Sequence, residues 1–437
     1  MPELPTHETP TSSSRESVGT PAQGTRSQPA ASGHSEHPDV PLLAEPRGGV
    51  PDVVEDERRL VAVAERLAKS TGPMAVDAER ASGYRYGQRA YLVQLWREGV
   101  GTVLVDPVAC PDLSPIAEAT AGVEWVVHAA TQDLPCLAEV GMRPDRLFDT
   151  EVGSRLLGLP RVGLSTVVEH YLQVRLAKEH SAVDWSTRPL PSPWLTYASL
   201  DVEVLVPLRD AVAADLIAAG KREWAEQEFD ALTRFTGPPV RTEPWRRTGG
   251  MHKVRNRRGA ALVRELWQAR DRLAADKDLA PGRILPDAAV IELTLAAAGK
   301  GPDAVTASRH KLVKRHAPTW RRAVEAAYAL PESKLPPLTV RSDAPPPVKA
   351  WKDKNPVAAD RLVLAKDAVA AFAEQNSLPV ENVLTPDTLR RLMWDPVEVT
   401  DEAVREALEA RGARPWQVDV VTPIVLSAYR EVPETRD

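Results

Sequence analysis

Four acidic residues and one tyrosine have the types and the spacing in this sequence that point to chemistry. Asp77 and Glu79 lie two residues apart in a short apolar run, and alternate side chains of a strand share one face, so these carboxylates would lie side by side. Like charges that close repel each other unless water separates them or a proton or metal ion holds them. Taken alone, two solvated acids at a strand end explain the pair more simply than a metal site does.

The other three residues of this set follow later in the chain. Asp133 begins a helix, where the helix dipole favours a carboxylate, so a helix-start acid is its simplest interpretation. Tyr197 and Asp201 are four residues apart and therefore share one face of a helix. Apolar residues surround Asp201, which leaves three interpretations for it: a functional acid, an acid paired with an arginine, or an acid on the exposed helix face.

An α/β domain is needed to position these acids. Three short Val- and Leu-rich runs, at residues 74–79, 90–96 and 101–107, predict successive strands that are antiparallel neighbours. A fourth run at residues 124–130 leads directly into a helix, and further helical patterns follow. Strands first, then alternating helix and strand, then helices predict one α/β domain over residues 51–230.

The rest of the chain predicts a repeated helical domain. The segment "KDLAPGRILPDAAVIEL" is similar to "NSLPVENVLTPDTLRRL", which lies ninety-nine residues later. In both segments a Leu precedes a Pro-containing loop, an aliphatic pair follows, and Pro-Asp opens the next helix. We therefore predict helical domains at residues 258–332 and 356–431. A linker at 231–257 precedes the first copy, and a Pro-rich linker at 333–355 separates the two copies.

The composition is that of a soluble globular protein. The 437 residues are 43% hydrophobic and 27% charged, which gives ample material for buried cores. Cys110 and Cys136 are the only cysteines, and they lack zinc-type spacing, so the sequence argues against a disulfide framework and for a cytoplasmic location. No apolar run approaches the length of a membrane span. The Pro-, Ser- and Thr-rich residues 1–50 lack the pattern of a secretory signal and predict a disordered tail.

Charge is distributed unevenly along the chain. Residues 246–330 contain 18 Lys or Arg against 8 Asp or Glu, whereas residues 371–437 contain 7 against 13. The basic segment suggests contact with a polyanion, and a solvated helix surface is the competing interpretation. The basic side chains that we select as candidate phosphate contacts are Arg255, Arg257, Arg258, Lys311, Lys314 and Arg315.

The three acidic motifs, taken in order, resemble those of the DEDD family of 3′-5′ exonucleases, in its tyrosine-containing branch. The motifs are "DAE" at residues 77–79, "HAATQDLPCL" with Asp133, and "YASLD" at residues 197–201. The flanking segments "YLVQL", "FDT" and "DWSTRPL" make the resemblance closer to the ribonuclease D family. The first helical repeat is similar to the HRDC domain, a small nucleic-acid-binding module, and the second resembles a diverged copy.

This resemblance implies a fold, a cofactor set and a role for each site residue. The fold would be an α/β ribonuclease-H-like exonuclease domain followed by two all-α HRDC domains. Two divalent cations, Mg²⁺ or Mn²⁺, would serve hydrolysis. Asp77, Glu79 and Asp201 would hold the ion that activates water, and Asp77 and Asp133 would hold the ion near the leaving oxygen. Tyr197 would orient the attacking water.

The implied activity is that of a cytoplasmic, monomeric 3′-5′ exoribonuclease. Its partner would be RNA with a free 3′ end, with tRNA precursors the most natural substrate, and it would have no membrane partner. One alternative is the same chemistry on DNA. Another is a non-catalytic RNA-binding scaffold with an exonuclease-like fold, against which the presence of all four acids and Tyr197 argues.

Three residues near the motifs have open interpretations. Arg80 follows the first motif where relatives often carry an apolar or aromatic residue, and it is either a phosphate contact or a solvent-facing side chain. Arg188 in "DWSTRPL" is either a phosphate contact or a structural salt-bridge partner. His128, five residues before Asp133, is better explained as a half-buried histidine beside a strand than as a catalytic group.

Overall fold

The α/β domain is built on a six-stranded mixed sheet and a separate two-stranded sheet. The strands are β1 (Leu42–Leu43), β2 (Val53–Val54), β3 (Met74–Arg80), β4 (Ala90–Arg97), β5 (Gly101–Val105), β6 (Glu124–Val127), β7 (Arg146–Asp149) and β8 (Arg175–Leu176). The large sheet has the order β2-β5-β4-β3-β6-β7. Strands β3, β4 and β5 are antiparallel neighbours, which confirms the prediction, and β6 pairs in parallel with both β3 and β7.

The structure is a computed structural model that describes residues 40–177, 180, 182–339 and 343–433. Residues 1–39 of the predicted disordered tail lie outside this part of the chain. Residues 40–50 were also predicted to belong to the tail, and here the predicted boundary is too late. Strand β1 pairs with β8, and the backbone N–H of Arg47 donates to the carboxylate of Glu203 at 3.0 Å, so backbone hydrogen bonds order this segment.

Helices cover both faces of the large sheet. They are α1 (Glu57–Ala68), α2 (Ser114–Ala119), α3 (Leu134–Glu139), α4 (Thr150–Leu156), α5 (Leu164–Leu172), α6 (Ser192–Glu203), α7 (Leu205–Ala218) and α8 (Arg222–Thr233). Successive side chains of β3 point to opposite faces of the sheet. Val76 and Ala78 belong to the core that α1 covers, whereas Ala75 packs with Val202 of α6 on the other face.

Two helical modules follow the α/β domain. The first helical module comprises α9 (Arg257–Asp276), α10 (Pro281–Ile284), α11 (Asp287–Lys300), α12 (Asp303–Ala307), α13 (Lys311–Arg315) and α14 (Ala317–Ala329). The second helical module comprises α15 (Trp351–Lys354), α16 (Pro356–Gln375), α17 (Val380–Val383), α18 (Pro386–Trp394), α19 (Asp401–Glu409) and α20 (Pro415–Glu431). The predicted linker before the first module packs against that module, because Trp245 is buried in the module's core.

The predicted helical repeat is visible in the backbone of both modules. Helices α9, α10 and α11 begin ninety-nine residues before α16, α17 and α18, respectively. Asn256 and Asn355 cap the first helix of each copy through the side chain. Asp278 and Ser377 have φ values of 47° and 50° in the turn that follows that helix. The correspondence of caps and turns shows that the two helical hairpins are built alike.

Both helical modules contact the α/β domain. The first module meets the loop after β3, where the N–H of Ala280 donates to the Tyr84 carbonyl at 3.0 Å and Arg283 donates to the Gly83 carbonyl at 2.8 Å. The second module meets α8, where Trp416 stacks on Trp224 with ring centroids 4.7 Å apart. Residues from Val40 onward therefore form one compact unit. Within the described residues, no helix is both long and apolar enough to cross a membrane.

Candidate active site

The first two acids lie at the carboxyl end of the central strand β3. Strand β6 pairs with β3 only at Met74 and Ala75, so the β6 side of the strand is unpaired where Asp77 and Glu79 follow. Both acids share the face of Ala75, which is the face that α6 covers. Their side chains are half-buried. The strand thus presents two carboxylates between the sheet and a helix.

Helix α6 brings Tyr197 and Asp201 to these acids. Ala198 packs against apolar residues of β4 and β5, and Val202 packs against β3 and β6, so the helix lies along the sheet with one face inward. Asp201 is 8% exposed. One carboxylate oxygen from each of Asp77, Glu79 and Asp201 lies within 4.8 Å of the other two. The predicted grouping of these three acids is therefore present in the fold.

A turn after β6 delivers Asp133. Ala129 has a φ of 59° in this turn, a left-handed backbone conformation that residues other than glycine rarely adopt. The carboxylate of Asp149 holds the turn, since it accepts from the backbone N–H of Ala129 at 3.0 Å and of Ala130 at 2.8 Å. The same carboxylate caps α4 through the N–H groups of Glu151 and Val152. The sequence predicted no role for Asp149, although the "FDT" segment that contains it was the available signal.

His128, in the same turn, is a structural residue. Its Nδ1 lies 2.8 Å from the hydroxyl of Thr150, and burial lowers the pKa of His128 to about 4. The neutral imidazole follows directly after β6 and contacts the Thr150 hydroxyl. This agrees with the interpretation of His128 as a half-buried histidine beside a strand. It has no contact with the acidic cluster among the hydrogen bonds of the described residues.

Asp133 is paired with Arg80. The guanidinium of Arg80 lies 3.3 Å from a carboxylate oxygen of Asp133, and the Asp133 side chain makes no hydrogen bond to the start of α3. Asp133 therefore does not serve as a helix cap, and Arg80 does not simply point to solvent. The Arg80 side chain keeps about a quarter of its surface exposed, at 24%. Its cation is placed at the edge of the acidic cluster.

Burial raises the pKa of all four acids, and repulsion between carboxylates raises it further for three of them. Burial raises the pKa of Asp77. Burial and the neighbouring carboxylates raise the pKa of Glu79, Asp133 and Asp201 well above their usual values, with Asp77 the largest repulsive neighbour of each. Like charges that share a partly dry site are stabilised by a cation. The all-oxygen donor set of Asp77, Glu79 and Asp201 fits a hard divalent ion such as Mg²⁺.

Tyr197 stays protonated at neutral pH. Burial, followed by the charges of Asp201 and Glu79, raises its pKa further above the ordinary value near 10. Aromatic rings fix its position, since Trp185 and His180 lie 6.4 and 6.0 Å from its ring centroid. A neutral phenol held in this way suits orientation of a bound group and not proton abstraction.

The basic residues selected from the sequence fall into two groups. Arg188 donates to both carboxylate oxygens of Asp106, at 2.6 and 2.7 Å, and to three backbone carbonyls, so the structural interpretation accounts for all of its contacts. Arg257 and Arg258 donate to backbone carbonyls at and beyond the end of α14, which also accounts for their side chains structurally.

The second group is exposed and has no such contacts. It consists of Arg255, Lys311, Lys314 and Arg315. Within the part of the chain that the structure describes, none of their side chains makes a hydrogen bond or ion pair. All four lie on or beside the first helical module, so this module presents unpaired positive charge to solvent.

The sequence matches known families over most of the described chain. Residues 51–217 match the 3′-5′ exonuclease family, and residues 259–297 match the HRDC domain. Residues 344–429 match the 3′ to 5′ exonuclease C-terminal domain and not a second HRDC domain. One HRDC domain is thereby confirmed, and a second is not. The starts of α9, α10 and α11, each ninety-nine residues before those of α16, α17 and α18, explain why the sequence suggested two copies of one domain.

Individual relatives cover between 74% and 90% of this chain. Ribonuclease D of Jannaschia sp. is 31% identical over 340 residues, which cover 74% of this chain and 84% of that protein. A crystal structure of a protein from Bifidobacterium adolescentis shares 39% identity and a TM-score of 0.81, covering 90% of this chain and 100% of that one. The structure of Escherichia coli RNase D, an exoribonuclease involved in structured RNA processing, has a TM-score of 0.63 at 22% identity and covers 87% and 99%.

Members of such exonuclease families depend on divalent metal ions, which agrees with the cluster of carboxylates between β3 and α6. The relationship that the three acidic motifs predict is confirmed by these matches. On the sequence identity and coverage above, this chain belongs to the ribonuclease D family of 3′-5′ exoribonucleases.

Proposed function

We propose that this protein trims the 3′ ends of structured RNA in the cytoplasm as a monomer, with tRNA precursors as the first substrate to test. The observation that carries the proposal is the approach of three carboxylates, from Asp77, Glu79 and Asp201, to within 4.8 Å of one another. Such a cluster is unfavourable without a cation and suits phosphodiester hydrolysis with one.

The acids would divide between two cations, Mg²⁺ or Mn²⁺. Asp77, Glu79 and Asp201 would hold the first ion, and Asp77 with Asp133 would hold the second. Two such ions would activate a water molecule and neutralise charge on the scissile phosphate. The chain's own residues would orient the reactants: Tyr197 would hydrogen-bond the attacking water, and the three acids of the first site would fix its approach.

Arg80 has two uses in this proposal. Its guanidinium pairs with Asp133 at 3.3 Å and retains exposed surface, so it can reach an incoming phosphate beside the cluster. An arginine there would compensate for the absence of an apolar or aromatic residue against the terminal base, because it binds phosphate by charge and by paired N–H groups. The grip on the RNA 3′ end would then depend more on charge than on stacking.

The first helical module would dock the body of the RNA. Arg255, Lys311, Lys314 and Arg315 are exposed and unpaired within the described residues, and such side chains neutralise phosphates without reading sequence. The same module is bonded to the loop that follows Asp77 and Glu79. RNA held by this module would therefore lie beside the catalytic cluster. We also propose that residues 356–431 are a diverged HRDC copy, which the matching caps and turns support.

The activity is tested with a labelled RNA hairpin that carries a single-stranded 3′ tail. With Mg²⁺ or Mn²⁺ the parent protein should release mononucleotides from the 3′ end, and Asp77→Asn should abolish release. Asp52→Asn serves as a control because Asp52 is an exposed acid of the same domain. Unchanged cleavage by Asp77→Asn would show that the site is wrong, and a DNA oligonucleotide of the same sequence decides between RNA and DNA.

A further inference from the structure

One buried amide in the α/β domain has no hydrogen-bond partner. Gln94 on β4 is 0% exposed, and neither its Nε2 nor its Oε1 makes a hydrogen bond within the described part of the chain. Most buried polar side chains in proteins are paired, because an unpaired amide in a dry environment lowers stability. An unpaired amide in this position therefore points to a polar group that lies near it but beyond hydrogen-bond distance.

The position of Gln94 identifies that polar group. In the antiparallel ladder of β3 and β4, Gln94 lies directly opposite Asp77. Side chains of directly opposite residues share a face and have Cβ atoms about 4.5–5.5 Å apart. On its other side Gln94 is opposite Leu104 of β5, which offers no polar side chain. The Asp77 carboxylate is therefore the polar side chain directly across the ladder from this amide.

Two of the polar side chains near Asp77 are already engaged. Arg80 pairs with Asp133, and Tyr197 interacts with Asp201. Asp77 itself interacts with the backbone of Ala78 and with Asp133. On the face that α6 covers, the layer around Gln94 includes the apolar side chains of Leu92 and Leu104. Gln94 is thus an unused donor in an apolar layer beside the carboxylate that both proposed cation sites share.

We propose that Gln94 is a positioning residue for Asp77: its Nε2–H donates to the Asp77 carboxylate, directly or through one water, and fixes the direction in which that carboxylate presents its oxygens to a divalent cation. The inference rests on the proposed function, because it assigns to Asp77 the role of a cation ligand. Hydrogen bonds to carboxylate ligands from neighbouring groups set ligand orientation, and their loss weakens metal affinity.

A purely structural glutamine would behave differently on substitution. Gln94→Met keeps the length of the side chain and removes both polar atoms. If Gln94 only filled space, this change would leave cation affinity alone and would keep or raise the melting temperature, because an unpaired buried amide is lost. If Gln94 positions Asp77, the variant should keep or raise its melting temperature without metal and yet bind the cation more weakly. The two readouts separate the roles.

The test uses the full-length protein and Mn²⁺ alone. Isothermal titration and the Mn²⁺ dependence of the melting temperature should show an apparent Kd raised by about 10-fold or more in Gln94→Met. Excess Mn²⁺ should restore kcat, while KM for RNA stays unchanged. Leu92→Met is the matched control, since Leu92 is also fully buried on β4, two residues away, and it should bind Mn²⁺ like the parent.

Three results would overturn the inference. Equal Mn²⁺ affinity in the parent and in Gln94→Met removes the positioning role while leaving the proposed function intact. A parent protein that binds no Mn²⁺ removes the proposed function and this inference with it. If Gln94→Met does not fold, a crystal structure of the parent with Mn²⁺ decides the matter: an Nε2 that contacts neither Asp77 nor a water bound to it contradicts the proposal, and either contact supports it.

Discussion

Replacing Asp201 by asparagine should make the metal-free protein more stable while it abolishes hydrolysis. Asp201 is 8% exposed, and one of its carboxylate oxygens lies within 4.8 Å of a carboxylate oxygen of Asp77 and of Glu79. Asparagine has nearly the same shape, so the packing of α6 on the sheet is kept. What changes is one negative charge in the cluster: repulsion by Asp77 raises the pKa of Asp201, and the Asp201 charge raises the pKa of Glu79. Stability and activity are therefore expected to move in opposite directions.

The size of the effect follows from the distance. Two unit charges 4.8 Å apart repel each other by about 3.5 kcal/mol at an effective dielectric constant of about 20. Asp201 faces two such neighbours, but the raised pKa values mean that partial protonation already relieves part of the repulsion. We expect the free energy of unfolding to rise by about 1–2 kcal/mol, which corresponds to about 2–8 °C in Tm for a domain of this size.

The assay is thermal unfolding in EDTA and again in Mn²⁺, combined with the RNA cleavage assay. Asp201→Asn should unfold at higher temperature than the parent in EDTA, should gain little from Mn²⁺, and should lose more than about 100-fold in kcat, since loss of even an outer partner of a ligand reduces activity or affinity 10- to 100-fold. Asp210→Asn is the control, because Asp210 is an exposed acid on the next helix.

Two outcomes would refute this reasoning. A lower Tm of Asp201→Asn in EDTA would mean that the carboxylate is stabilised by its neighbours and that the cluster is not repulsive. An undiminished Mn²⁺ shift of Tm would mean that Asp201 is not a cation ligand. Either result would remove the electrostatic basis for the site, even if hydrolysis were lost.

Three further outcomes are expected. The pKa of Glu79 is raised in the folded protein, so the parent loses stability as pH rises above about 4.5, the ordinary pKa of a glutamate. The Tm of Glu79→Gln minus that of the parent, in EDTA, should therefore grow as pH rises, and this difference should shrink in Mn²⁺. Asp149→Asn should lower the free energy of unfolding by about 1–3 kcal/mol and reduce kcat, because an amide nitrogen would face the Ala130 N–H and loosen the turn that carries Asp133. Replacing the three basic residues of α13 by glutamate should weaken RNA binding and reduce the salt dependence of log Kd by about 2, at about 0.7 per lost phosphate contact.

Two of these expectations have a matched control, and each has a contradicting result. Asp145→Asn changes an exposed acid that accepts one backbone N–H, from Gly122, and should leave kcat unchanged; equal losses in both variants would remove the special role of Asp149. For RNA binding, the control replaces Lys349, Lys352 and Lys354 by glutamate, which removes three exposed lysines at and just before the start of the second helical module. If this control reduces the salt dependence as much as the α13 variant does, the first helical module is not the docking surface. A pH-independent Tm difference for Glu79→Gln would contradict the raised pKa.

Local patterns are enough to predict the elements that carry the site. The strands β3, β4 and β5 follow from short Val- and Leu-rich runs, and the face shared by Asp77 and Glu79 follows from the two-residue period of a strand. The four-residue spacing of Tyr197 and Asp201 likewise places both on one face of α6. These features depend on neighbours in sequence, which is why the sequence alone predicts them.

Partners that are distant in sequence could not be predicted in the same way. Arg188 meets Asp106, which lies eighty-two residues earlier, so its charge gave no indication that it was already paired. The same holds for Asp149, whose role depends on a turn twenty residues before it. Residues 40–50 follow a Pro-, Ser- and Thr-rich stretch, and the order of this segment depends on the pairing of Leu42 and Leu43 with β8, far along the chain. In each case the deciding interaction is a long-range hydrogen bond.

The position of the first helical module connects substrate docking to the catalytic strand. The loop after β3 is bonded to that module at Tyr84 and Gly83, and the same loop begins directly after Arg80, which pairs with Asp133. RNA that binds the basic side chains of the module would therefore be linked, through these hydrogen bonds, to the segment that follows the acidic cluster. Separating the module from the loop should raise KM for structured RNA and also lower kcat on short single strands, because the end of β3 would lose its support. Arg283→Ala, which removes the bond to Gly83, measures this second effect, and an unchanged kcat would limit the module to docking.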